Sequence, residues 1–260
     1  MEYAGTVLFE GRVPVLPESI TWPVEDIAPR LHVGQAHLWA WPLCVPESAL
    51  EANLSLLSSN EVERANRFKF PEHREAYIVA HARMRQILAG YLNCAPESVV
   101  FETGTHGKPR LVSPKTNLHF NLTHSHGLGG LAVTSNIEVG LDFEHIRPME
   151  REVAEAHFSA DEIHHLDQLS GMEWINAFYR CWTRKEALLK AEGMGLNVPL
   201  HSFDVSLLPD QPATLLKTRP GAGFTHSWSL HHLDPCPGYA GALATSEPVQ
   251  LRCFRSTSNF

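Results

Sequence analysis

Long apolar runs are missing from this 260-residue sequence, and none approaches the ~20 residues that a membrane-spanning helix needs. The first residues, Met1-Glu2-Tyr3-Ala4, lack the basic and apolar regions of a secretory signal. Cysteine is scarce, odd in number and scattered: five residues, at 44, 94, 181, 236 and 253, with no Cys-x-x-Cys pair. A disulfide framework or zinc ribbon is therefore not expected, and reduced thiols in a cytoplasmic protein are. Positive charge is also short, with 21 Lys and Arg against 29 Asp and Glu and a net charge of −8. Non-specific nucleic-acid binding needs a basic surface and is not expected. What remains is the composition of a soluble globular protein, 43% hydrophobic and 19% charged, with enough chain for a substantial core.

Against that background two short motifs stand out. Val139-Gly140-Leu141-Asp142-Phe143-Glu144 reads as a strand, on which Asp142 and Glu144 share a face. Carboxylates two strand residues apart, ~7 Å, repel each other unless a cation lies between them. Trp182-Thr183-Arg184-Lys185-Glu186-Ala187-Leu188-Leu189-Lys190 reads as a helix with Glu186 and Lys190 on one face. Three carboxylates and a lysine able to converge suit a hard divalent cation and a phosphate ester.

The sequence also repeats itself at an offset of 101 residues. Ser58-x-x-Glu61 matches Ser159-x-x-Glu162, and both read as capping boxes that open helices. Tyr77 to Leu88 aligns with Phe178 to Leu189, and His37 to Trp41 falls opposite Glu138 to Asp142. In this ungapped alignment Trp41 and Leu43 face Asp142 and Glu144, while Arg85 faces Glu186. The acidic cluster belongs to the second half alone. The first half offers Arg64, Arg67, Lys69, Arg74, Arg83 and Arg85, so metal and phosphate-binding cations would come from opposite halves. The expected fold is α+β, two pseudo-symmetric α/β halves with the active site between them. Residues 1–115 form the first half, 116–250 the second, and 251–260 a tail without clear pattern. A Gly-, Pro-, Ser- and Thr-rich stretch, Thr103 to Asn117, carries the crossing. Strands are expected at 203–205, 228–232 and 239–245.

Each motif alone has a plainer reading. An isolated Asp-x-Glu is usually a solvated strand face, and Glu186 with Lys190 is an ordinary helix pair worth ~0.3–0.5 kcal/mol. Lys108 in Gly107-Lys108-Pro109 can be a turn lysine. Asn121-Leu122-Thr123-His124-Ser125-His126-Gly127 is harder to dismiss, because a strand end with hydroxyls, histidine and free backbone N–H groups makes a phosphate cradle. With 16 histidines in the chain and no matching Cys/His pair, His124-x-His126 does not point to structural zinc.

Taken together the motifs resemble the 4′-phosphopantetheinyl transferases of the surfactin-synthetase-activating (Sfp) type. The matching patterns are G-K-P (Gly107 to Pro109), N-x-[ST]-H-S (Asn121 to Ser125), V-G-x-D-x-E (Val139 to Glu144), F-[ST]-x-x-E (Phe158 to Glu162) and W-x-x-K-E-x-x-x-K (Trp182 to Lys190). They occur in order between about residue 35 and residue 245. The resemblance implies transfer of the 4′-phosphopantetheine arm of coenzyme A to a serine of an acyl, aryl or peptidyl carrier protein, releasing adenosine 3′,5′-bisphosphate. It implies Mg²⁺ held by Asp142, Glu144 and Glu186, with Glu186 also the candidate base and Lys190 stabilising the leaving phosphate. Lys108, Thr123 and His124 would bind the coenzyme A phosphates, helped by Arg64, Arg67 or Arg74. A monomer is expected, serving fatty-acid, polyketide or peptide synthesis. His126-Gly127 departs from the family's usual Ser-Gly or Ser-Asp in that loop. Two other readings of the same residues are a non-catalytic coenzyme A or carrier-protein binder, and a Mg²⁺-dependent phosphohydrolase acting on a small nucleotide.

Overall fold

One order of elements occurs twice along the chain. The structure, a computed structural model, describes residues 20–104, 107–194 and 198–257. The reading of Met1 to Ala4, the turn residues 105–106 and the last tail residues, 258–260, lie outside the described residues. The first half runs β1 (Gln35–Pro42), α1 (Glu47–Ser55), α2 (Ser59–Ala65), α3 (Pro71–Leu92), β2 (Val100–Thr103), β3 (Pro109–Ser113), β4 (Leu118–Ser125) and β5 (Leu128–Ser135). The second runs β6 (Val139–His145), α4 (Arg151–His157), α5 (Ala160–Leu166), α6 (Gly171–Glu192), β7 (Phe203–Val205), β8 (Leu215–Thr218), β9 (Ser229–Leu233) and β10 (Tyr239–Thr245). β1 pairs antiparallel with β5 and β5 with β4, just as β6 pairs with β10 and β10 with β9. β2 with β3, and β7 with β8, form the matching hairpins. The α+β architecture in two similar halves is as expected, with a long helix packed on each sheet.

Both capping boxes form. Ser58 and Ser159 accept from the backbone N–H groups of Glu61 and Glu162, whose carboxylates accept the serine N–H in return. Each glutamate then takes a cation from the long helix: Arg85 lies 2.7 Å from Glu61, and Lys185 lies 2.9 Å from Glu162. Arg85 also donates to the carbonyls of Pro96 and Val99, and Lys185 to those of Leu200 and Phe203, tying each helix to the strand that follows it. This corrects the ungapped alignment. The capped helices differ by 101 residues, but the long helices, Pro71–Leu92 and Gly171–Glu192, differ by 100. Arg85 is the counterpart of Lys185, so Gln86 stands where Glu186 does and Gly90 where Lys190 does.

Two further expectations change. The sheet of the first half runs past the expected boundary at residue 115, because β5 and then β4 continue the sheet from β1. Their apolar residues Phe120, Leu131 and Val133 pack with Trp39 and Trp41 against α3, so burial assigns them to the first half. The tail is not loose: β11 (Gln250–Arg255) pairs in parallel with β1, covering the edge of that sheet. Its pattern is faint in sequence because an edge strand with one half-exposed face carries weak alternation.

The two sheets meet through β4 and β6. The side chains of Asn121, Thr123 and Ser125 accept from the backbone N–H groups of Leu141, Phe143 and His145, at 2.8, 3.3 and 3.2 Å. On the same strand Phe143 lies over Gly130 and Gly241, where any Cβ would strike its ring. Gly140 has the same role towards α6, since a methyl group there would overlap the Ala187 carbonyl oxygen and the Ala191 nitrogen. Only glycine lets β6 and α6 approach this closely. Gly140→Ala is therefore expected to cost about 3 kcal/mol by overpacking, read as a lowered midpoint in urea unfolding; an unchanged midpoint would contradict the contact.

Candidate active site

Where β6 passes under α6, Asp142, Glu144, Glu186 and Lys190 come together. Asp142 is 3% exposed, and Lys190 Nζ lies 2.6 Å from its Oδ1. The same ammonium donates to Thr123 Oγ1 and to the Leu141 carbonyl, each at 3.2 Å. Glu144 accepts from Ser125 Oγ at 2.8 Å. Burial raises the pKa of Asp142 against the opposing pull of Lys190. Burial, then the charge of Asp142, raises Glu144 and Glu186 each to about 7. For Lys190 burial works against the charged form, but Asp142, Glu186 and Glu144 together raise its pKa. The short contact and this direction describe an ionised Lys190–Asp142 pair with surplus negative charge around it.

The donor set fits a hard cation. Among the described residues no three His, Cys, Asp or Glu side chains are already drawn into a metal cage. Yet Asp142 Oδ2 and Glu186 Oε1 are buried with no hydrogen-bond partner. An unsatisfied buried carboxylate oxygen is costly, and an oxygen-preferring divalent ion would satisfy both atoms and relieve the repulsion.

Strand alternation divides the Asn121 to Ser125 motif. Asn121, Thr123 and Ser125 face β6 and are spent in the seam; Thr123 is 3% exposed. The Thr123 hydroxyl oxygen accepts from the Phe143 N–H and from Lys190. His124 points the other way and is exposed. Crowding, then the charges of Lys190, His81, Arg64 and His73, lowers its pKa; with the residue open to water, the cations are the firmer cause. Of the first-half arginines, Arg64 lies over the Tyr77 ring, 5.8 Å from its centroid. Arg67 is exposed and pairs with Glu63 at 3.9 Å, while Arg74 donates to Asn66 at 3.2 Å. Lys108 donates to Glu138 Oε2 at 2.9 Å and to the Ala191 carbonyl at 2.7 Å. Sequence reasoning missed His73 and His81. They were visible as His73, Tyr77, His81 and Arg85, one residue every four along a single face of α3.

Residues 44–136 match the family model "4′-phosphopantetheinyl transferase, N-terminal", and residues 138–244 match that of the 4′-phosphopantetheinyl transferase superfamily. The chain is 38% identical over 230 residues to the 4′-phosphopantetheinyl transferase HetI of Nostoc sp. PCC 7120, covering 87% of this chain and 94% of that protein. It is 30% identical to the putative 4′-phosphopantetheinyl transferase slr0495 of Synechocystis sp. PCC 6803, with 75% and 78% covered. To the transferase Sfp of Bacillus subtilis it is 27% identical, with 76% and 86% covered. This chain belongs to the 4′-phosphopantetheinyl transferase superfamily.

The raised carboxylates set a pH dependence. A carboxyl group that binds its proton more tightly folded than unfolded stabilises the fold below its unfolded pKa, and that gain is lost as pH rises through its folded value. For Glu144 and Glu186 the window runs from 4.5 to about 7. His37 and His124, whose pKa values are lowered, act in the opposite sense. Their effect cancels in a comparison with the Glu144→Gln/Glu186→Gln variant. Without metal, the melting temperature of the variant relative to wild type is expected to climb between pH 5 and pH 7, measured by calorimetry. A flat difference would mean that the two carboxylates do not share this site.

Proposed function

We propose that this protein transfers the 4′-phosphopantetheine arm of coenzyme A to a serine of an acyl or peptidyl carrier protein, releasing adenosine 3′,5′-bisphosphate. The observation that carries this reading is the convergence of Asp142, Glu144, Glu186 and Lys190 next to Thr123 and His124. Clustered carboxylates with a lysine among them suit a pyrophosphate ester held through a divalent ion. Asp142, Glu144 and Glu186 would hold Mg²⁺, which when bound would neutralise charge on the pyrophosphate of coenzyme A and on the leaving 5′-phosphate of adenosine 3′,5′-bisphosphate.

The chain's own groups do the rest. His124, Arg64, His73 and His81 grip the phosphates of coenzyme A, and Lys190 supplies positive charge beside the leaving group. Arg67 and Arg74, near the same rim, are secondary contributors. Glu186 would accept the carrier serine's proton, directly or through water. Phosphoryl transfer of this kind depends on positioning and charge stabilisation, and no covalent enzyme intermediate is required. Among the described residues no helix is long and apolar enough to cross a membrane, and we place the activity in the cytoplasm, in a monomer. A non-catalytic binder is disfavoured because all four chemical side chains are present and assembled. A phosphohydrolase would instead release adenosine 3′,5′-bisphosphate without a carrier.

Mass spectrometry of an apo carrier protein incubated with this protein, coenzyme A and Mg²⁺ is expected to show the gain of one phosphopantetheine arm, abolished by EDTA. Asp142→Ala and Glu186→Gln are each expected to lower the transfer rate about 100-fold or more while remaining folded. Undiminished transfer by either variant would remove the roles assigned here.

A further inference from the structure

We propose that Trp41 is a positioning residue, whose indole N–H holds one nitrogen of the His124 ring so that the other donates to a phosphate of coenzyme A. The proposal rests on the transferase reading above. Trp41 is fully buried on β1, yet among the described residues its Nε1 has no hydrogen-bond partner. A buried donor without an acceptor is costly and uncommon in a native fold. The strand ladder shows where this one lies. Trp41 stands opposite Gly129 of β5, and Gly129 stands opposite His124 of β4. Residues directly opposite one another in antiparallel strands project from the same face. Trp41 and His124 therefore flank Gly129 on the side of the sheet that packs against α3.

Gly129 leaves the way between them open. A Cβ at that position would stand 2.7 Å from both Cε2 and Nε1 of Trp41, so the pyrrole edge of the indole is the part that lies across β5. His124 is exposed and makes no hydrogen bond among the described residues. Crowding, then the charges of Lys190, His81, Arg64 and His73, lowers its pKa, which favours the neutral ring. A neutral imidazole has one N–H donor and one acceptor nitrogen, and the bond made by the acceptor decides which nitrogen keeps the proton. An indole can only donate. By giving its N–H to one nitrogen of His124, Trp41 leaves the proton on the other, which then faces a phosphate oxygen as a donor. The unpartnered N–H and the uncommitted ring are two halves of one hydrogen bond, closed when a bound phosphate orders the imidazole. Phenylalanine at position 41 would fill the same core and fix neither the rotamer nor the tautomer of His124.

Binding of coenzyme A is measured with Mg²⁺ and without a carrier protein, by calorimetry and by the indole N–H signals of ¹⁵N-labelled protein, one for each of six tryptophans. Trp41→Phe is expected to weaken binding about three- to tenfold, the worth of one neutral hydrogen bond. In a His124→Ala background the same substitution changes affinity less than about 1.5-fold, because the partner is already gone. The Trp41 signal, identified by its loss in Trp41→Phe, moves downfield when coenzyme A saturates the wild type and stays in place when it saturates His124→Ala. Unchanged affinity in Trp41→Phe, equal losses with and without His124, or an unmoved signal in the saturated wild type overturns the proposal. Where Trp41→Phe does not fold, the spectra decide by themselves: one indole signal must respond to coenzyme A only when His124 is present. A wild type that does not bind coenzyme A removes the transferase reading and this inference together. Binding with an unmoved signal removes this inference alone.

Discussion

The seam between β4 and β6 is the constraint on which the site depends. β6 pairs through one edge with β10, which leaves the N–H groups of Leu141, Phe143 and His145 pointing outwards at the other. Buried backbone donors need partners, and here three alternate side chains of β4 supply them in place of a second backbone ladder. The exchange joins the two half-sheets without merging them. A direct ladder would bring the strands about 4.8 Å apart, whereas side-chain acceptors hold them further off. That wider spacing gives Lys190 access to Thr123 and Leu141 from above while it binds Asp142.

The same seam explains why so much charge is tolerated in one place. Ser125 both accepts from His145 and donates to Glu144, so a structural hydrogen bond also orients an acidic side chain. Gly140 brings α6 down onto the opposite face of the site, and Lys190 offsets one of three carboxylates. Two buried carboxylate oxygens remain without partners, and two glutamates are raised towards neutral pH. Such an arrangement costs stability and persists where the unsatisfied atoms serve a ligand.

The first half shows what the same frame looks like without chemistry. In the long helix Gln86 takes the position of Glu186 and Gly90 that of Lys190, and on β1 the apolar Trp39 and Trp41 face the helix. Apolar packing against α3 replaces the acidic cluster there. The paired devices that hold each long helix, Glu61 with Arg85 and Glu162 with Lys185, are kept in both halves. Framework and function are thus carried by different residues of one repeat. On the face of α3 that carries His73, Tyr77 and His81, His81 stacks on Tyr77 and bonds to Glu61 at 3.1 Å.

Much of this was determined by sequence alone. The capping boxes, the strand pattern of β6, the long amphipathic helices and the identity of the four acidic-site residues rest on local periodicity and short-range hydrogen bonding, which a linear pattern encodes. The Ser58 and Ser159 boxes, Tyr239 to Thr245 and the Asp142, Glu144, Glu186, Lys190 set were all legible that way. The tertiary structure decided what depends on contacts between distant segments. It moved β4 and β5 to the first half, made Gln250–Arg255 a strand beside β1, shifted the long-helix alignment by one residue, and turned Thr123 into the seam and Lys108 toward Glu138 and Ala191. A lysine in a Gly-Lys-Pro turn carries no local mark of which partner it meets. Whether its charge faces a phosphate or a helix end is fixed only when hairpin, strand and helix are packed together.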